Sequence, residues 1–264
     1  MRNIKYKIMD IIKDMLKEGR KWSQGRIYLF VSIAFFLMAC ADTKGKEIVK
    51  IPEASGISYC SDTDTLIVAN DEGSYYEINR KGKILQKKKL GNYDLEGVVC
   101  EDDQLIFALE NKGILIVERK TGKKKKVTLD TFYNGKKLSL FDKKSGIEGI
   151  VKVGNIVYLS KQSKKKKDSF IAVVKLTPYP SHIVDVIKHE IADTAGLDYH
   201  DGYLYMVSDT DNKLIKYDIQ RDKVVWVKAL PDFAQEGVTF DDQGYIYFAD
   251  DNGRVLKYPE SDFL

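Results

Sequence analysis

Little in this chain points to transition-metal or nucleophilic chemistry. Three histidines and three cysteines are spread over 264 residues, and nowhere do they fall at metal-binding spacings. No Gly-x-Ser-x-Gly element occurs, so the nucleophile turn of serine hydrolases is missing. No apolar run reaches the roughly 20 residues that a membrane-spanning helix needs. Charge of one sign is also scarce once the N-terminus is set aside. Residues 1–40 hold eight of the 43 basic and three of the 39 acidic residues, which leaves 35 against 36. A nucleic-acid partner therefore lacks its electrostatic footprint.

What the N-terminus does have is an address. Residues 27–39 form an uncharged apolar run of 13 residues behind Arg20, Lys21 and Arg26. A basic n-region before a short apolar h-region is the layout of a secretory signal peptide. Leu37-Met38-Ala39-Cys40 resembles a bacterial lipobox, which implies cleavage before Cys40 and lipidation of its thiol; a short uncleaved anchor is the alternative. Upstream, Ile8, Ile11, Ile12, Met15 and Leu16 share one helical face. Either this is an interfacial basic helix, or the chain starts at Met15 and the upstream residues are surplus. The expected organisation is a signal peptide over 1–40, a polar tether over 41–46 and one domain over 47–264. Ala41 leaves the outer membrane open as an address, since it is not the aspartate that holds enteric lipoproteins at the inner membrane.

The domain carries a repeat. Ser55-Gly56-Ile57, Glu96-Gly97-Val98, Glu148-Gly149-Ile150, Ala195-Gly196-Leu197 and Glu236-Gly237-Val238 place a small or acidic residue, then glycine, then a hydrophobic strand. The glycines are 41, 52, 47 and 41 residues apart, a period that belongs to repeat architectures. Each repeat continues with an apolar run such as Leu66–Ala69, Leu105–Leu109 or Tyr245–Ala249. These runs do not alternate, so they predict strands buried on both faces. A third, alternating strand follows. A more polar fourth comes next in four repeats: 84–86, 126–129, 183–187 and 224–227. Polarity rising outward fits the exposed edge of a propeller blade.

The last repeat ends after three strands, at Pro259, whereas 47–51 precedes the first repeat without a partner. This N-terminal strand is expected to complete the last blade and close the ring. The prediction is an all-β chain folded as a β-propeller of five four-stranded blades. A sixth blade could only hide in 131–146, which lacks a second apolar run; a β-sandwich would leave the period unexplained. Cys60 lies four residues past its glycine and Cys100 three past its own. Alternation sends them to opposite sheet faces. An exported protein could join them, but two buried free thiols are expected.

Glu53-Ala54-Ser55-Gly56-Ile57-Ser58-Tyr59, Leu66–Gly73, Tyr93–Val98, Gly146–Ile150 and Gln235–Gly244 together resemble the SdiA-regulated domain family, over roughly residues 46–260. The resemblance implies a bacterial envelope propeller behind a signal sequence or membrane anchor, and brings no established activity. Ala195 and Gln162 depart from the family's usual residues.

In a four-stranded blade, the start of the inner strand and the loop between the second and third strands lie at one end. That places Glu96, Glu148 and Glu236 around the mouth of the axial channel, with Ser55, Asn70, Asp71, Lys161, Asp209 and Asp250 near them. Converging carboxylates either take up protons or attract a cation. Calcium, with its six to eight oxygen ligands, is the expected ion, held by the three glutamates; capping of neighbouring backbone N–H groups is the structural alternative. The expected function is a ligand- or cation-binding or docking module of the cell envelope, facing an unknown small ligand or an envelope protein. The alternative is a metal-dependent hydrolase of the lactonase or esterase type, with Asp71, Asp209 or Asp250 as base; it rests on likeness of fold. His182, His189 and His200 fall away from the channel. Lys123–Lys126 read as a solvated hairpin. Lys164–Lys167 lie at the glutamate end, where they are solvated or attract an anion.

Overall fold

The computed structural model describes residues 45–141, 145–177 and 181–264. The expected signal peptide (1–40), the expected lipidation site Cys40 and the expected tether up to residue 44 lie outside the described residues. Five antiparallel four-stranded blades follow in chain order. Blade 1 is built from Ala54–Cys60, Thr65–Asn70, Ser74–Asn79 and Ile84–Lys89, and blade 2 from Leu95–Cys100, Gln104–Leu109, Gly113–Glu118 and Lys124–Val127. Blade 3 uses Ile147–Val153, Ile156–Lys161, Phe170–Lys175 and Ser181–Ile187. Blade 4 uses Thr194–His200, Tyr203–Ser208, Lys213–Asp218 and Lys223–Ala229. Blade 5 has Gln235–Phe240, Tyr245–Asp250 and Arg254–Pro259, and its outer strand is Lys46–Lys50 from the start of the domain. Lys46 pairs with Lys257 and Lys50 with Arg254, antiparallel. The ring is thus closed by its own N-terminal strand, as expected, one residue earlier than the pattern suggested. No helix among the described residues is long and apolar enough to cross a membrane.

The core is divided into five apolar clusters, one between each pair of neighbouring blades. Ile67, Ala69 and Tyr75 of blade 1 meet Leu105, Phe107 and Leu115 of blade 2. Leu66, Val68 and Ile78, on the other face of blade 1, meet Tyr247, Ala249 and Val255 of blade 5. Adjacent residues of a second strand therefore serve opposite interfaces, which is why those runs are apolar throughout. The outer strands have one dry face at most; Ile84, Leu85, Val224 and Val225 are exposed.

The repeated glycine marks a β-bulge. In every blade the register between the inner and second strands shifts there: Ala54/Gly56, Leu95/Val98, Ile147/Gly149, Thr194/Leu197 and Gln235/Gly237. The extra residue leaves the ladder and its side chain is re-aimed. The glycine also lets the next inner strand approach. A Cβ on Gly56 would lie 2.1 Å from the Glu96 carbonyl oxygen, and one on Gly97 would lie 2.6 Å from the Ile150 nitrogen. The series closes where Gly237 meets the backbone of Ser55 and Ile57.

Two expectations are corrected. Cys60 and Cys100 are joined in a disulfide, with Cα atoms 5.4 Å apart. They do lie on opposite sheet faces, but of consecutive blades. Cys60 looks forward from blade 1 and Cys100 looks back from blade 2, so the opposite faces confront each other across the interface. Second, residues 126–129 are not one strand. Lys124–Val127 closes blade 2, while Leu129–Asp130 crosses over and runs parallel to the outer strand of blade 3. The stretch after it forms only a short ribbon, Phe132–Tyr133 against Lys136–Lys137, and no sixth blade.

Candidate functional site: an acidic channel mouth

The bulges aim their extra residues at one end of the channel. Glu96 and Glu148 are buried there, 7 % and 8 % exposed, and Glu236 joins them from blade 5. Burial raises all three carboxyls, and the other leading influences on Glu96 and Glu236 are further carboxylates. Glu96 and Glu148 share a hydrogen bond, so the pair holds a proton between them. Glu148 still lies at about 7, because burial outweighs that bond.

The two blades without a glutamate at the bulge contribute carboxylates from the turn between their second and third strands. Asp71 of blade 1 accepts a hydrogen bond from the Ser55 hydroxyl; burial raises it to about 6 despite that bond. Asp209 of blade 4 is raised by burial and by Asp193, and accepts from the Gln235 backbone N–H. Every blade therefore presents an acidic group. Asp71, Asp94 and Glu96 each offer an oxygen, and these oxygens lie within 4.8 Å of one another. Glu110, raised by burial and bonded to Asp94, extends the group.

The other candidates are engaged in local hydrogen bonds. The Asn70 side chain accepts from the Ser74 N–H at 2.9 Å and donates to the Pro52 carbonyl at 3.3 Å, so it shapes its own turn. Asp250 does the same in blade 5: it is fully buried, accepts from the Asn252 N–H at 3.0 Å, and is paired with Arg254, whose Nε lies 2.6 Å away. Lys161 is 3 % exposed and donates to Ser145 Oγ at 2.6 Å and to the Gln162 carbonyl at 3.2 Å. His182 is in the outer strand of blade 3, His189 in the connection after it, and His200 at the far end of the channel, away from the glutamates.

Reading the sequence alone misses Asp94, Asp193 and Asp251. A signal for two of them exists: Glu53, Asp94 and Asp193 each stand two residues before the bulge residue of their repeat. The backbone explains it, since this position leads the chain into the inner strand. At Glu53 and Asp193 it adopts φ of 46° and 55°, a left-handed turn that short acidic residues tolerate better than β-branched ones.

A closed five-bladed propeller with an acidic channel mouth defines the class of protein. The particular family follows from sequence: the SdiA-regulated family model matches residues 39–253, and the chain belongs to that family. Comparison with curated proteins gives no match. Among solved structures, the crystal structure of Myxococcus xanthus glutaminyl cyclase is similar, with a TM-score of 0.59 at 11 % identity, covering 80 % of this chain and 97 % of that one. At that identity the likeness is one of fold.

Proposed function

We propose that this protein is a lipid-anchored binding module of the bacterial envelope whose acidic mouth captures a cation, with calcium as the ion. One observation carries the reading: carboxylates from all five blades face the channel mouth, Glu96 and Glu148 are buried there, and burial and neighbouring carboxyl groups are the leading influences on the three glutamates. Such a group is costly unless protons or a cation neutralise it. Carboxylates and waters make the hard-oxygen shell that calcium takes. Glu96, Glu148 and Glu236 would hold the ion, with Asp71 and Asp94 behind Glu96.

The envelope address rests on the basic and apolar layout of residues 1–40 and the lipobox-like residues at Cys40. The Cys60–Cys100 disulfide supports it, since such bonds persist in oxidising compartments. A catalytic reading has one observation in its favour: Glu96 and Glu148 are hydrogen-bonded to each other, with burial raising both carboxyls, and a carboxyl pair of that kind suits general acid–base work. The similar propeller in glutaminyl cyclase contributes its fold to this reading and no residue.

Calorimetry on the full-length chain in neutral detergent at pH 7.5 separates these. Calcium binding in the wild type that is lost in Glu96→Gln/Glu148→Gln supports capture. No binding in the wild type sinks it. Turnover of esters, lactones or phosphoesters that depends on calcium would move the reading to the hydrolase.

A further inference from the structure

Blade 3 differs from the others. The chain reaches it through an excursion whose short ribbon, Phe132–Tyr133 and Lys136–Lys137, has no counterpart in the remaining blades. Between this ribbon and the loop joining the second and third strands of blade 3 opens a cleft of about 920 Å3. It is more than twice the size of the roughly 430 Å3 cavity at the far end of the channel.

Lys137, Lys164, Lys165, Lys167 and Lys188 line this cleft, and Asp168 is the one carboxylate beside them among the described residues. None of the five makes an ion pair or a side-chain hydrogen bond among the described residues. A sixth, Lys161, forms part of the floor and is held by Ser145 and Gln162. Leu138, Phe170 and Val186 supply an apolar wall.

The other run of four lysines in the chain is used differently. Lys124 Nζ donates to the Leu90 carbonyl at 2.7 Å, and Lys126 Nζ sits 5.0 Å from the centre of the Tyr93 ring. Those ammonium groups are spent on an outer strand. Those around the blade 3 cleft border open space instead.

We propose that this cleft binds a phosphate-bearing ligand with an apolar body. Five like charges around one concavity repel until an anion enters, and a cleft with low-dielectric walls focuses their field. Lysines bind phosphate as compact point charges with rotatable donors, and five of them surround this one cleft. The apolar wall beside the charges gives the rest of the ligand a place to lie. The phosphate has two sources, a free phosphorylated molecule or a lipid headgroup.

The test uses the full-length chain in neutral detergent with EDTA, so that cation binding at the acidic mouth plays no part. Inorganic pyrophosphate is titrated into wild type, Lys164→Gln/Lys165→Gln/Lys167→Gln and Lys120→Gln/Lys123→Gln/Lys125→Gln. The last removes the same charge from the opposite end of the blades. At least tenfold weaker binding in the first variant, with less than twofold change in the second, is the expected result. Equal weakening in both, or no binding in the wild type, overturns the proposal. Micelles doped with phosphatidylglycerol then distinguish the sources. Displacement of pyrophosphate assigns the cleft to a headgroup, and its absence assigns it to a free phosphate compound.

Discussion

The same five inner strands end in two acidic rims, and the rims are handled in opposite ways. At the far end of the channel, carboxylates meet cations. Arg80 reaches Asp241 at 3.0 Å and is also paired with Asp64 and Asp242. Arg119 pairs with Asp62 at 2.6 Å, Lys152 with Glu101, and His200 lies 3.1 Å from Glu260. Several of these bonds join neighbouring blades, so they fasten the ring. At the mouth, the carboxylates meet one another. Charge that the protein neutralises itself serves the fold, and charge left facing other carboxylates marks the end at which binding is proposed.

The largest expected effect lies at the far end. Arg80 is 10 % exposed and Asp241 fully buried as side chains; Arg80 also stacks 4.8 Å from the centre of the Tyr59 ring. Arg80→Ala leaves Asp241 buried with its charge supported only by Tyr247 and two backbone N–H groups. Breaking a buried pair from one side costs about 3–5 kcal/mol, and the partly exposed partners of Arg80 place this one at about 3 kcal/mol. Chemical denaturation measures it. A loss under about 1 kcal/mol would mean that the far rim is as dispensable as a surface ion pair, and the contrast between the ends would fail.

A smaller effect tests the contrast by sign. Changing a carboxylate to its amide keeps the shape and removes the charge. At the mouth, without metal and at pH 8, Glu96→Gln/Glu148→Gln should stabilise the protein by about 2 kcal/mol, because it removes buried negative charge from a pair crowded by further carboxylates. At the far rim, Asp241→Asn should destabilise it by a similar amount, since hydrogen bonds to a charged group contribute about 1.5–3 kcal/mol. Equal signs in the two melting experiments would show that both rims are structural. Calcium should raise the melting temperature of the wild type and leave that of the double glutamine variant unchanged.

Much of this is legible in the sequence, for physical reasons that can be named. The period of the glycines and the apolar runs such as Leu66–Ala69 report stacked blades because each second strand is dry on both faces. The unpartnered strand at 47–51 and the truncated last repeat announce the closure. The cysteines mislead because alternation describes the faces of one sheet, while the disulfide crosses between sheets. Leu129–Asp130 is misplaced by its pattern because a short apolar stretch does not say which blade edge it joins. At the site, the three glutamates are visible from their equivalence across repeats. The bulge that aims them is not, since a glycine in a strand reads equally as close approach or as a kink. The sequence pattern also cannot separate Asp71 from Asn70, or Asp209 from Asp250. They are neighbours or equivalents in the repeat, and only the hydrogen bonds to Ser74 and Arg254 show which are committed to their turns.

The smallest expected effect is the pH profile of the metal-free protein, and it reads both rims at once. Glu148 is raised to about 7 in the fold, against an ordinary value of about 4.3 in an unfolded chain. In that window the folded state holds more protons than the unfolded one, so stability falls as pH rises. The contribution is complete below about 4.3 and is lost by about 7. Each pH unit crossed within that window can remove at most about 1.4 kcal/mol, and relaxation of the mouth leaves about 1 kcal/mol in all, or about 3 °C in melting temperature for a domain of this size. At the far rim the sign reverses. Arg80 lowers the Asp242 carboxyl, so that pairing is present above the unfolded value and is lost as pH falls through the folded one. Stability in EDTA should therefore peak at about pH 4 and decline on both sides, with calcium lifting only the alkaline limb. A melting temperature that stays flat or climbs from pH 5.5 to 8 in EDTA would show that the mouth carboxylates are neutralised within the fold, and would remove the reason for a cation there.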